Sequence, residues 1–335
     1  MIPMKMLEWA NEYYMDTLRN KYRSASRKHY YGDDDEEYNL SANPNAIEYL
    51  LENPKQINWD SLSNNLNPKA IDIITNNIDK VNWISLSQNP NAIKLLRKNP
   101  DKINWYWLST NPNAINLLQE YPDKINWSGL SCNPNGIKLL RENVDKINWV
   151  KLSANPNAIE LLIENPDKID WFRLSSNPNA IELLQDNIDK IDWFKLSSNP
   201  NAIELLQDNI DKIDWCDLSM NPNAIELLQK NPTYIDWHRL SANPNAIELL
   251  RNNKEKIKPN WLFDNPNAGE LLQKHGHYIY SSSLYAHPAI FTYDYGKITE
   301  RPFTEELMQK VYHPIRFERH LTTYGYDLGD DSYYS

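Results

Sequence analysis

Side chains able to do chemistry are few and scattered in this chain of 335 residues. The densest group of metal-type donors is His275, His277 and His287, which would suit a bound cation if a Cys or a carboxylate stood at ligand spacing beside them. None does. The carboxylates recur at fixed positions of a repeat, so they are spread along the molecule and do not converge in pairs for acid–base work. The eight glycines form neither a phosphate-cradling loop nor a dinucleotide fingerprint. No Ser or Cys has an identifiable base. The chemistry on offer argues against an enzyme, and against a cofactor or a resident metal.

Recognition has a more specific basis. Two positions that directly follow a recurrent Trp vary most between copies of the repeat. The first runs Asp60, Ile84, Tyr106, Ser128, Val150, Phe172, Phe194, Cys216, His238, and the second Ser61, Ser85, Trp107, Gly129, Lys151, Arg173, Lys195, Asp217, Arg239. A fold that needed only solubility would fill these places with small polar groups. Instead Tyr106 and Trp107 stand together, and Val150, Phe172 and Phe194 form a row flanked by Lys151, Arg173 and Lys195, with Arg239 beyond. Aromatic residues beside Arg suit a protein interface. The alternative is that the first position tucks against the neighbouring repeat.

The elements that must present these residues are written in the period. Eleven prolines, from Pro44 to Pro266, recur every 22 residues except for a first spacing of 24, which the sequence places in extra residues around Asn64 to Leu66. A fixed period of this size marks a solenoid, in which each unit buries its apolar face against its neighbours. In one copy, Asn177 is placed to cap a helix that starts at Pro178, with Ala180, Ile181 and Leu184 inward and Glu182, Gln185 and Asp186 outward. That helix must stop near Asn187, because proline often follows (Pro54, Pro100, Pro122, Pro166, Pro232). Asp192, which is Asn in earlier copies, caps a second short helix, Trp193-Phe194-Lys195-Leu196. The Trp of each copy is expected to fill the core between layers, with an aromatic ladder for a ligand as the alternative. The Ser after each Leu is expected to bond the backbone or to help cap the next helix.

The whole reads as an all-α chain, an α-solenoid of short two-helix repeats with a helical N-terminal cap and a degenerate helical C-terminal cap. The expected divisions are 1–40 (cap and charged linker), 41–272 (repeats) and 273–335 (degenerate repeat, cap and acidic tail). With layers about 9 Å apart, eleven units would make a rod or arc on the order of 100 Å long. Residues 3 to 24 read as an amphipathic helix covering the first repeat, followed by a basic cluster (Arg19, Lys21, Arg23, Arg27, Lys28) and an acidic one (Asp33 to Glu37). Near the other end a copy survives only as Ile279, Leu284 and Pro288. Two short helices are expected beyond it, at Thr304 to Tyr312 and His313 to Leu321.

A net charge of −10 gives no nucleic-acid footprint. Cys132 and Cys216 read as free thiols of a reducing compartment. No apolar run approaches a membrane span, and no secretory leader is evident, so a soluble, cytoplasmic protein is expected.

The repeat Asn-Pro-Asn-Ala-Ile-x-Leu-Leu…Asp-Lys-Ile-(Asn/Asp)-Trp-x-x-Leu-Ser resembles repeat proteins of giant DNA viruses of the mimivirus type. The ending His313-Pro314-Ile315-Arg316…Tyr324-Gly325-Tyr326-Asp327 is similar to theirs. The resemblance covers roughly residues 40 to 330 and implies a viral protein of an infected host cytoplasm, a viral factory or a virion, and it carries no catalytic residues across. The function expected is a non-catalytic scaffold for a protein partner, viral or host, through Tyr106, Trp107, Val150, Phe172, Arg173, Phe194, Lys195 and Arg239. The alternative is a structural protein whose copies associate with one another.

Overall fold

The computed structural model describes residues 4–7, 40–275 and 287–293. Within them the chain is the expected solenoid of short helix pairs. In the unit that begins at Asn177, an outer helix Ile181–Gln185 leads through one 3-10 turn, Ile188–Lys190, into an inner helix Trp193–Ser197. Asn187 ends the outer helix by donating its Nδ2 to the Leu183 carbonyl at 2.9 Å. Asp192 caps the inner helix, its Oδ1 accepting from Lys195 N at 2.8 Å. The prolines that stop the outer helix open the 3-10 turn, as at Pro166–Lys168, where a missing N–H costs no hydrogen bond.

The start of the outer helix differs from the expectation. Asn177 Oδ1 accepts from Asn179 N at 3.0 Å, which folds Pro178 and Asn179 into a turn, and the α-helix begins only at Ile181. The 24-residue spacing also has a different origin. Asn67 donates to Pro44 O at 2.7 Å and Asn91 to Leu66 O at 2.9 Å, the contact each unit makes with the one before, so the extra pair is Pro68 and Lys69. They fit because proline suits a first helical turn, and they lengthen that outer helix to Pro68–Thr75.

The core is a column of leucines and alanines, as with Ala180, Leu184 and Leu196, all fully buried. The Trp column is not core. Every Trp from Trp59 to Trp237 is half-buried, Trp261 is exposed, and a Lys of the following unit lies over several of the rings. Lys190 sits 4.5 Å from the Trp171 ring centre and Lys212 4.6 Å from that of Trp193. The indoles thus flank the core under a cation that keeps its head in water.

What joins the units is a buried polar ladder. Asn199, fully buried, donates both Nδ2 protons to the preceding unit, to Ser175 O at 3.1 Å and Asn177 O at 2.9 Å, and accepts from its own Asn201 N at 3.0 Å. Ser197 works beside it: its Oγ donates to Trp193 O at 2.8 Å and accepts from Asp214 N of the next unit at 3.0 Å. The same pattern runs from Asn65 to Asn265.

The ladder does not end. His287, 22 residues after Asn265, is 3 % exposed and places its Nε2 2.8 Å from Asn265 O, where an asparagine amide would be. The His287 carbonyl in turn accepts from Asn43 Nδ2 of the first unit at 2.8 Å, and Pro288 O accepts from Asn45 Nδ2 at 3.1 Å. Eleven asparagines and one histidine therefore close a circle, and the rod or arc expected from the sequence is a closed ring with a turn of about 30° per unit. Both chain ends build the twelfth unit. His287 and the turn Pro288–Ile290 supply its first half, and Leu40–Ala42 supplies its Leu and Ser, with Ser41 Oγ accepting from Asn58 N at 2.9 Å. A two-stranded antiparallel sheet locks the join: β1 (Met4–Met6) pairs with β2 (Phe291–Tyr293), and Leu7 N donates to Ile290 O at 2.8 Å.

Strand β1 falls where an amphipathic helix was expected to begin, because Met4–Met6 gains a ladder with β2 as well as a seat on the first outer helix, Ile47–Glu52. The rest of that helix, both charged clusters, Ile279, Leu284 and the two C-terminal helices lie outside the described residues.

Two predictions follow from the ladder. Replacing Asn199 with Ala takes the amide partner from Ser175 O and from Asn201 N, while Asn177 O keeps Ala180 N, and should cost about 2–6 kcal/mol in urea unfolding, at about 1–3 kcal/mol for each of the two unsatisfied groups. Asn199→Asp, nearly isosteric but without donors, should cost more than Asn199→Ala. The closure should also be acid-sensitive. Burial holds the His287 imidazole below its ordinary value, so the unfolded chain takes up a proton first. The stability of the neutral ring is complete above about pH 6.5 and is lost as the pH falls below that value toward the lowered native one. Thermal unfolding at neutral and mildly acidic pH should show the loss, and His287→Asn, which restores the common ladder residue, should abolish it.

Candidate interaction surface

Closure decides which face is concave. The inner helices of consecutive units pack directly on one another, as Trp105–Thr110 does on Trp127–Cys132, whereas consecutive outer helices are spread apart. In a closed ring the closer-spaced layer lines the bore. With axes roughly 8–10 Å apart, twelve inner helices set a circle of about 15–19 Å radius. Subtracting half of a clothed helix diameter leaves a wall enclosing a space on the order of 20 Å across.

On each inner helix Leu and Ser face the core, so the two residues after Trp face the bore. The first of them is exposed in most units: Val150, Phe172 and Phe194 are each near half exposure, and Ile84, Cys216 and His238 are also exposed. Tucking against a neighbour occurs only at Tyr106 and Ser128, both half-buried.

Seven of the eight expected interface residues, all but Arg239, fall on one arc of five consecutive units, which also carries Lys151. Tyr106 and Trp107 meet edge to face at 4.9 Å. Lys151 reaches past the intervening unit to donate to Tyr106 Oη at 2.9 Å, its Nζ 5.0 Å from that ring's centre. Gly129 makes this reach feasible. It is buried between the two, and a Cβ there would lie 2.7 Å from Tyr106 O. Farther along, Lys195 Nζ sits 4.9 Å from the Phe172 ring centre and 5.1 Å from that of Phe194. Arg173 is exposed.

Arg239 stands apart, two units beyond, in an ion pair with Asp217. Burial pushes the Asp217 carboxyl up from its usual range even though Arg239 draws it down, so the guanidinium is committed to a buried neighbour. The variable positions in the sequence singled out Asp217 and Arg239 one at a time. That they pair follows only from the one-unit offset between them.

Among the described residues no group of His, Cys, Asp and Glu is arranged to hold a metal. Of the three histidines weighed as metal donors, His287 belongs to the ladder, His275 ends the helix Gly269–His275, and His277 lies outside the described residues. Both cysteines are free and exposed. The Cys216 thiol is pushed up by desolvation and by Asp236, the opposite of an activated nucleophile. Outside the bore, a groove of about 490 Å³ lies beside the two-residue insertion, lined by Leu51, Ile57, Trp59, Ile73 and Lys80. No described helix is long and apolar enough to cross a membrane.

Gly129→Ala should separate the two flanking inner helices, since the added methyl meets a backbone carbonyl. A loss of about 1–3 kcal/mol is expected in thermal unfolding, against the slight gain Ala would bring to an unhindered helix. No protein family, no curated protein and no solved structure matches the chain.

Proposed function

We propose that the ring is a non-catalytic interaction scaffold that holds a partner protein on its inner wall. The observation that carries this reading is the arc itself. Val150, Phe172 and Phe194 expose 46, 49 and 46 % of their surface in three successive units, beside a basic residue each time. Burying large apolar groups on a partner regains area that folding leaves in water, and the basic neighbours set orientation. The resemblance to giant-virus repeat proteins adds the setting of this proposal, an infected host cytoplasm, a viral factory or a virion.

A second reading rests on a different surface. Val144, Ile188 and Ile210 take the place of the proline that opens the 3-10 turn in other units, and all are exposed. That exposed row at the turns between outer and inner helices would serve a structural protein whose copies associate, and a concentration-dependent oligomer of the purified protein, abolished by changing these three residues to Asp, would favour it.

The scaffold reading is tested by affinity purification with the wild type and a Trp107/Phe172/Phe194→Ser variant side by side. The variant should lose its partner by roughly tenfold or more, as expected when interface aromatic anchors are removed. An unchanged set of partners would sink the reading.

A further inference from the structure

We infer, building on that scaffold reading, that the inner wall takes an acidic linear segment of the partner, inserted into the bore as a strand or a single helix. Lys151, Arg173 and Lys195 hold the same position in three consecutive units, and none makes an ion pair with a described carboxylate. The other four described arginines are all engaged: Arg97 with Glu120, Arg141 with Glu164, Arg239 with Asp217, Arg251 with Glu270. Three neighbouring cations, of which only Lys195 acts at longer range on a carboxylate that Arg239 already holds, Asp217, repel one another in a chain whose net charge is −10. A ligand with spaced carboxylates removes that repulsion.

The wall also holds these cations in place. Lys151 is fixed by the Tyr106 hydroxyl, which leaves two of its three protons for a ligand. Lys195 is held over two phenylalanine rings, and the exposed Val150, Phe172 and Phe194 side chains lie alongside to receive aliphatic or aromatic residues set between the acidic ones. Geometry limits the form of the ligand. A helix with its side chains is about 10–12 Å across and fits a space on the order of 20 Å, whereas a folded domain does not.

Single-stranded nucleic acid is the rival anion, since it also pairs charge with flat rings. The wall disfavours it. Lys195 already lies on the faces of Phe172 and Phe194, and Tyr106 and Trp107 are turned edge to face on each other, so open platforms for stacked bases are missing from this arc.

The test uses the full chain and fluorescence anisotropy. The probes are a labelled peptide of about a dozen residues alternating Glu or Asp with Phe or Leu, its Lys counterpart, and oligo-dT of similar length. The acidic peptide should bind best, and its affinity should fall as ionic strength rises from about 50 to about 300 mM. A Lys151/Arg173/Lys195→Gln variant, with an unchanged melting temperature, should bind it roughly tenfold or more weakly. Tighter binding of oligo-dT, or equal binding of the acidic peptide by the Gln variant, would overturn the inference. So would a change of oligomeric state in the Gln variant, which would make a second copy of the chain the occupant. The Gln variant also separates the two readings. Partners lost by the Ser variant but kept by the Gln variant leave the scaffold standing and refute the acidic ligand, and partners kept by both refute the scaffold as well.

Discussion

The ring depends on a buried primary amide whose three hydrogen-bonding functions are all used. Asn199 caps its own turn with Oδ1 and ties the preceding unit with both Nδ2 protons. A buried polar group is costly when half satisfied and directional when fully satisfied. Leucines packed between layers would tolerate a slide of one unit against the next, as apolar contact has no preferred register. The amide does not, since its acceptors are two particular carbonyls. The ladder therefore fixes orientation, while the Leu and Ala columns supply most of the burial.

That division of labour explains what could be read from the residues alone. The period, the two helices, the second cap at Asp192 and the bridging Ser all follow from local rules, since each concerns a few neighbouring residues. The ladder was hidden because capping already accounts for an Asn before a Pro. A trace of it is present. At the second cap Asn gives way to Asp between Asn148 and Asp170, and either serves equally well there. At the ladder position Asn43 to Asn265 are all Asn, and only a requirement for the amide donors separates the two residues. The Trp column was misjudged for a related reason: recurrence shows that a residue meets the same surroundings in each unit, and says nothing of how deep those lie.

Closure was less legible still. A period states which residues meet in the next unit and leaves the angle between units free. The angle arises from the difference between two layers. The inner helices touch through small residues, Ser and in one case Gly129, and the outer ones stand off behind Leu and Ile. At about 30° a step, twelve units are needed to return to the start, and the chain supplies eleven with an asparagine and one with His287. The candidate surface was legible as variable positions at a fixed phase. Its gathering into one arc, and the reach of Lys151 over Gly129 to Tyr106, needed the curvature.

A ring also changes what the wall can do. In an open solenoid the end units bury one face fewer and fray, and capping units are the usual remedy. Here the first unit meets the twelfth through the contacts that join any two neighbours, and β1 with β2 adds a further clasp across chain ends that are more than 280 residues apart in sequence. Opening then requires breaking an interior-type interface, so the curvature of the wall is held by the whole circle. A surface held in that way loses little conformational freedom when it binds, which favours affinity from few contacts. The same closure limits access, because a ligand reaches Phe172 and Lys195 only along the bore. On the proposed reading, recognition by this wall would be selective for shape before charge: a linear segment would pass along the bore, and a folded domain would be kept outside it.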